Sequence, residues 1–258
     1  MGHRLRSTCR LVLSACVAVA LFANGPSVAR AQPVPAAEQL LKDADRARGG
    51  LAEGITWNAT VETTEEGRTS SRTFLVKARG NDALVEALAP PRYKGETMLF
   101  NDRTIWFVKP GLRRPVSISA RQRLHGDAAN GDIATTNYAR DYEGTVAGEE
   151  AVDGEATFKL ELKARTRNVT YDRIRYWIST RAHLGVKAEF LTVGGDVFKT
   201  ARFEYGNTMK SPAGAFDFVS RMIIKDETGA GTSTTITFGQ PRADVHPPSM
   251  FNINNVVR

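Results

Sequence analysis

From residue 55 onward the apolar residues of this chain recur at every second position, and that period dictates an extended, sheet-forming backbone. Ile55, Trp57, Ala59 and Val61 alternate with polar residues until Glu65-Glu66-Gly67 turns the chain. A return run over 72–78 is centred on Phe74-Leu75-Val76, and Gly80-Asn81 turns again ahead of a run over 83–88. Runs over 98–100 and 104–108 flank the Asn101-Asp102 turn, and runs over 142–147 and 157–164 flank Asp153-Gly154. A meander over 174–179, 186–193 and 197–205 follows, with Gly194-Gly195 at its second turn, and a last hairpin joins 218–225 to 232–238. The pattern predicts about ten or eleven strands joined mostly by tight turns. Hairpin after hairpin implies antiparallel pairing, and so large a sheet curls or closes. The expected fold is mainly β with few helices: a curved antiparallel sheet forming an incomplete, half-open β-barrel with a helix at its mouth.

One helix stands before the sheet. Ala37, Leu40, Leu41, Ala44 and Ala47 share a face at helical spacing over 36–48, with Pro35 suited to the start and Gly49-Gly50 to the stop. Between 110 and 141 neither period holds. This segment carries Arg113, Arg114, Arg121, Arg123 and Arg140 beside Asp127, Asp132 and Asp141. Ser119 is expected to cap a short helix reaching Leu124. A loop this long inside a compact domain is functional or disordered.

The first 31 residues read as an export signal. Arg4, Arg6 and Arg10 precede the apolar run 11–22, and Ala29-Arg30-Ala31 supplies a small-x-small cleavage site. The apolar run falls short of the roughly 20 residues that a membrane span requires. The expectation is a cleaved signal over 1–31, a single domain over 32–258, and a periplasmic location; the alternative is a lipoprotein anchored through Cys16. Both cysteines, Cys9 and Cys16, lie inside the signal, so no disulfide braces the remainder. That remainder holds 31 basic against 28 acidic residues, a net +3, with no concentrated basic stripe of the kind nucleic acid demands.

Signatures of a reactive centre are missing. After the signal the histidines are His125, His183 and His246, widely spaced. No HxH, HExxH or CxxC pattern supports a metal, and no GxSxG or phosphate-binding loop occurs. Asp127 and Asp132 could flank a substrate as paired carboxylates, but read more simply as solvated loop charges. Neither an enzyme nor a cofactor is expected. Trp57, Trp106, Trp177, Phe74, Phe100, Phe158 and Phe190 all fall in strands. They either fill a core or line a concave surface that holds a ligand; periodicity alone leaves both open.

A family resemblance enters at Tyr93-Lys94-Gly95-Glu96-Thr97-Met98-Leu99-Phe100, which leads into Ile105-Trp106-Phe107-Val108-Lys109-Pro110-Gly111-Leu112-Arg113-Arg114. The stretch from Ile118-Ser119 to Gln122-Arg123 follows, then Asp132 with Asn137-Tyr138, a Gly- and Glu-rich hairpin near 148–154, the strands between 171 and 190, and the closing Pro247-Pro248-Ser249-Met250-Phe251. These residues resemble the outer-membrane lipoprotein-sorting family, relatives of the LolA and LolB carriers. The resemblance implies an incomplete β-barrel with a helical lid over an apolar cavity. It also implies a periplasmic carrier or chaperone that shields acyl chains of lipoproteins or lipids on their way to the outer membrane. Residues expected to line the cavity are Trp57, Phe74, Met98, Phe100, Trp106 and Phe158, with Arg113 and Arg114 at a rim that meets headgroups or a partner. Expected partners are lipoprotein acyl chains or lipid, an inner-membrane transporter and an outer-membrane acceptor, with the protein a monomer. The alternative is a lipid-sensing regulator without transport activity. An outer-membrane barrel is disfavoured, because Glu86, Lys159, Glu161, Lys163 and Lys187 interrupt any apolar outer band.

Overall fold

A computed structural model describes residues 2, 35–50, 54–134, 136–211, 214–229 and 231–256. The expected export signal, its cleavage site at Ala31 and the Cys16 anchor lie outside the described residues, residue 2 apart. Residues 35–258 cluster as one compact unit.

The helix α1 (Ala37–Arg46) buries Leu40, Leu41 and Ala44 together with Asp45. These positions are three and four apart, so they share one face and pack that face on the sheet. Strands β1 (Gly54–Glu65), β2 (Arg68–Arg79), β3 (Asp82–Ala89), β4 (Thr97–Asn101), β5 (Thr104–Val108) and β6 (Val116–Ile118) form a continuous antiparallel meander. The small strands β7 (Arg123–His125) and β8 (Ala128–Ala129) form a separate hairpin, followed by the four-residue helix α2 (Tyr138–Asp141). A second meander comprises β9 (Tyr142–Val152), β10 (Glu155–Ala164), β11 (Arg173–Ser179), β12 (Gly185–Leu191), β13 (Val197–Ser211), β14 (Gly214–Asp226) and β15 (Ser233–Phe238). The short β16 (Arg242–Ala243) and the helix α3 (Ile253–Val256) close the described chain.

The two meanders join where the first strand meets the last long one. Ala59 opposes Phe238 and Val61 opposes Ile236 across β1 and β15. The sheet therefore has 14 strands with β6 and β9 as its edges, and these edges do not pair with each other. The expected curved, unclosed antiparallel sheet is what the chain adopts.

The segment without periodicity, 119–141, runs between those two edges across the concave face. Leu124, Ala128, Ile133, Ala134 and Tyr138 are buried in the same core as Trp57, Phe74 and Phe218. One expectation fails here: 119–124 is not a helix. The Ser119 hydroxyl does accept a bond, from the Arg121 amide at 3.2 Å, and the Gln122 side chain accepts from the Ser119 amide at 3.0 Å. These local bonds close a turn instead of starting a helix, a competition that short polar side chains win often. The chain then re-enters extended structure at Arg123.

Candidate functional site

Alternation along the β2–β6 meander sorts its side chains onto two faces. Val76, Val85, Met98 and Phe107 are successive cross-strand partners, and Phe74 opposes Ala87 beside them. On that shared concave face Phe74, Val85, Ala87, Met98 and Phe107, with Ile118 of β6, line a cleft of about 460 Å³. That volume lies within the 300–1,000 Å³ usual for small-molecule sites. The crossing segment covers it as a strap through Gln122, Arg123, Leu124 and Asn130.

One ion pair sits within this apolar wall. Arg72 Nη2 lies 2.9 Å from Glu96 Oε2, with the two side chains only 14% and 18% exposed. The guanidinium covers the ring of Tyr93 at 3.9 Å and that of Phe74 at 5.1 Å. It also donates from Nη1 to the carbonyl of Leu124 at 3.4 Å. Arg72 thus ties the barrel wall, the 90–96 turn and the strap at one point. Beyond it the 90–96 and 109–115 turns meet: a methyl on Gly95, whose φ is +91°, would stand 3.0 Å from Pro110 Cγ. Lys94, Lys109, Arg113 and Arg114 cluster in these turns, and Arg113 and Arg114 are exposed.

At the other end of the β4–β5 hairpin a narrower cleft of about 70 Å³ is lined by Phe100, Ile105, Arg103, Tyr138 and Asp141. Behind it lies a buried polar cluster. Arg48 sits over the Phe203 ring at 4.5 Å and the Tyr138 ring at 5.6 Å. Asp45 accepts from the Ala139 amide at 2.9 Å, and so holds the start of α2. Burial pushes the Asp45 carboxyl up to about 7, against the pull of that bond and of Arg48. Burial likewise pushes the Tyr176 hydroxyl up to about 12.

The structure brings some of the expected lining residues together and parts others. Phe74 and Met98 line the large cleft. Phe100 lines the narrow one. Trp57 and Phe158 are buried in the core, Trp57 edge-on to Phe218 at 5.8 Å. Trp106 is the correction. Ile105 and Phe107 turn inward, so Trp106 between them turns outward, where it packs with Leu84, Leu99 and Phe251 beneath the C-terminal segment. Val85, Ala87, Phe107 and Ile118 were not picked out by sequence reasoning. Their signal was present, since each shares the parity of Met98 through the strand register, but the register emerges only from the pairing itself.

Asp127 and Asp132 are engaged separately. Asp127 Oδ2 accepts from Thr234 Oγ1 at 3.2 Å, whereas Asp132 accepts from the Tyr171 hydroxyl at 2.8 Å and the Ala129 amide at 2.8 Å. His125, His183 and His246 bond to Ser70, Asp43 and Thr56 respectively, in three distinct places. Among the described residues no group of three or more metal-ligating side chains converges. No described helix is long and apolar enough to cross a membrane.

Comparison with solved structures finds the same fold. A LolA superfamily protein from Nitrosomonas europaea superposes with a TM-score of 0.77 at 27% identity, over 86% of this chain and 99% of that one. The chain belongs to a LolA-like family. A family model described only as an uncharacterized protein also matches residues 79–258. A putative outer membrane lipoprotein-sorting protein domain from Vibrio parahaemolyticus shares the fold, with a TM-score of 0.72 at 19% identity over 86% of this chain and 98% of that one. No curated protein matches in sequence. This LolA-like chain keeps the family's open barrel, and its lid is modest: α1, the strap and the single turn of α2 stand over the concave face.

Proposed function

We propose that this LolA-like protein is a periplasmic carrier that holds acyl chains of lipoproteins or lipids in the cleft between β2–β6 and the strap. The observation that carries the reading is the cleft itself: a space of about 460 Å³ between an apolar concave wall and the strap. An acyl chain leaving water gains about 0.8 kcal/mol per buried CH₂, so a cleft of this size needs no specific polar contact to hold one. In this reading the cationic turns at its end, with the exposed Arg113 and Arg114, would meet anionic headgroups or a partner. The carboxylates of Asp127 and Asp132 are each committed to structural bonds, which supports a binding protein over an enzyme. Loading from an inner-membrane transporter and delivery to an outer-membrane acceptor complete the reading, with residues 1–31 removed on export.

The test is binding of a fluorescent fatty-acid probe, displaced by a triacylated lipopeptide. Phe107→Asp puts a charge on the cleft wall, and the expected result is a loss of at least about tenfold in probe affinity, because an unpaired carboxylate resists burial. Wild-type protein that ignores both probe and lipopeptide, or a Phe107→Asp variant that binds like wild type, would defeat the proposal.

A further inference from the structure

A second surface lies at the end of the sheet where β10 passes into β11. Lys163 and Arg173 are direct cross-strand partners there. Their neighbours Leu162 and Ile174 face the core, so both cations stand on the outer face. Like charges placed opposite each other weaken a sheet. Arg165 and Arg167 follow in the connecting turn, and all four cations are exposed. Among the described residues none of the four forms an ion pair; Arg165 donates from Nε to the carbonyl of Tyr142 at 3.0 Å. Carboxylates lie nearby as well: Glu143 is the cross-strand partner of Lys163, Glu161 stands two positions before Lys163 but is paired with Arg175, Glu38 is within reach of Arg165 but is paired with Lys42, Asp196 is exposed on the next turn, and Asp172 is taken by Arg121.

Two features make this a built surface. Lys163, Arg165, Arg167 and Arg173 surround a concavity of about 530 Å³ beside Val193, which is 76% exposed. The turn that carries the cations is also held rigid. From the strap, Arg121 donates to the carbonyl of Val169 at 3.0 Å and of Arg167 at 3.4 Å, and grips both oxygens of Asp172 at 2.6 and 2.7 Å. A surface ordered in advance loses less entropy when it binds. At the far end of the same ten-residue strand the hairpin tip carries Glu149, Glu150, Asp153 and Glu155, all exposed, of which Glu150 is paired with Lys159 and Asp153 with Arg202. The charge gradient along β10 presents one end to an anionic surface and turns the other away.

We propose that this end of the sheet docks on an anionic lipid bilayer, with headgroup phosphates received among Lys163, Arg165, Arg167 and Arg173 and Val193 entering the interfacial layer. A cationic cluster beside one exposed apolar tip has the make-up of an interfacial anchor. The inference goes beyond the carrier reading and needs no cargo, so either can fail alone.

The experiment is vesicle co-sedimentation with the processed protein purified after expression of the full chain. Vesicles are phosphatidylcholine alone or phosphatidylcholine with phosphatidylglycerol. Binding is expected to the anionic vesicles only, and added salt should weaken it. Lys163→Gln with Arg173→Gln should lower the affinity at least about tenfold, since each basic side chain near an anionic surface is worth about fivefold. Arg68→Gln with Lys210→Gln removes the same charge from two exposed hairpin sites and should leave affinity within about twofold. Equal binding to both vesicle types, no binding to either, or equal losses in the two double variants would each overturn the proposal. An acidic protein as the true partner would show itself as no vesicle binding.

Discussion

Replacing Arg72 with methionine tests how the strap is held. The methionine keeps much of the stem's volume but removes two polar ties and the cation–π contacts with Tyr93 and Phe74 at once. The ion pair with Glu96 is mostly sheltered, at 14% and 18% exposure. It therefore falls between exposed pairs, worth at most about 1 kcal/mol, and buried ones, whose breakage costs about 3–5 kcal/mol. A value near 2 kcal/mol is reasonable for this pair. The long bond to the Leu124 carbonyl, at 3.4 Å, adds something under about 1 kcal/mol. The expected global loss is about 2–3 kcal/mol in urea unfolding. Only the Leu124 bond, with the aromatic stacking that positions it, bears on strap opening alone. That share of about 1 kcal/mol corresponds to roughly fivefold faster exchange of the strap amides by local opening. Adding Glu96→Gln to Arg72→Met should recover about 1–2 kcal/mol, because the stranded carboxylate is then gone. Hydrogen exchange resolved over 122–130 decides the matter. Strap amides that exchange at the wild-type rate in Arg72→Met would refute the idea that this arginine holds the strap.

Other consequences are open to simple measurement. Trp106→Ala, on the outer face, should cost about 2 kcal/mol in thermal or urea unfolding and leave fatty-acid probe affinity unchanged; loss of binding would return Trp106 to the cleft. The Asp45 carboxyl is raised in the folded protein to about 7, so its contribution to stability is intact below about pH 4 and declines as pH rises towards 7, because the unfolded chain ionises first. Asp45→Asn, which can still accept from the Ala139 amide, should flatten that slope and unfold at higher temperature than wild type near about pH 8; an unchanged slope would show that another group is responsible. Gly185→Ala places a methyl on the Tyr176 hydroxyl and should destabilise by about 2 kcal/mol or more, which equilibrium unfolding would reveal directly.

Much of the fold was legible because it is local. The switch from a period of 3.6 to a period of 2 near residue 50 set off α1 from the sheet, and glycine- and aspartate-bearing turns marked the hairpins. A chain that reverses at each tight turn must pair antiparallel, so those turns were enough to fix the strand directions. The site was less legible. Of the expected residues Phe74 and Met98 stand on the cleft wall and Trp106 on the opposite face, while Val85, Ala87, Phe107 and Ile118 join the wall only through strand pairing. Large aromatics attract notice in a sequence, while the wall of this cleft is made mostly by parity and register.

Residue pattern alone determined that this chain would form one amphipathic helix and a long antiparallel meander, since each signal is carried within a few residues. Only the tertiary structure decided that β1 pairs with β15, that β6 and β9 remain apart as edges, and that the 119–141 segment crosses between them. Those choices depend on contacts between residues more than a hundred positions apart, such as Arg48 with Met222 and Asp127 with Thr234. Alternation tells that a strand has two faces; which of them is concave is settled only when the distant strands have paired and the strap has closed over one side.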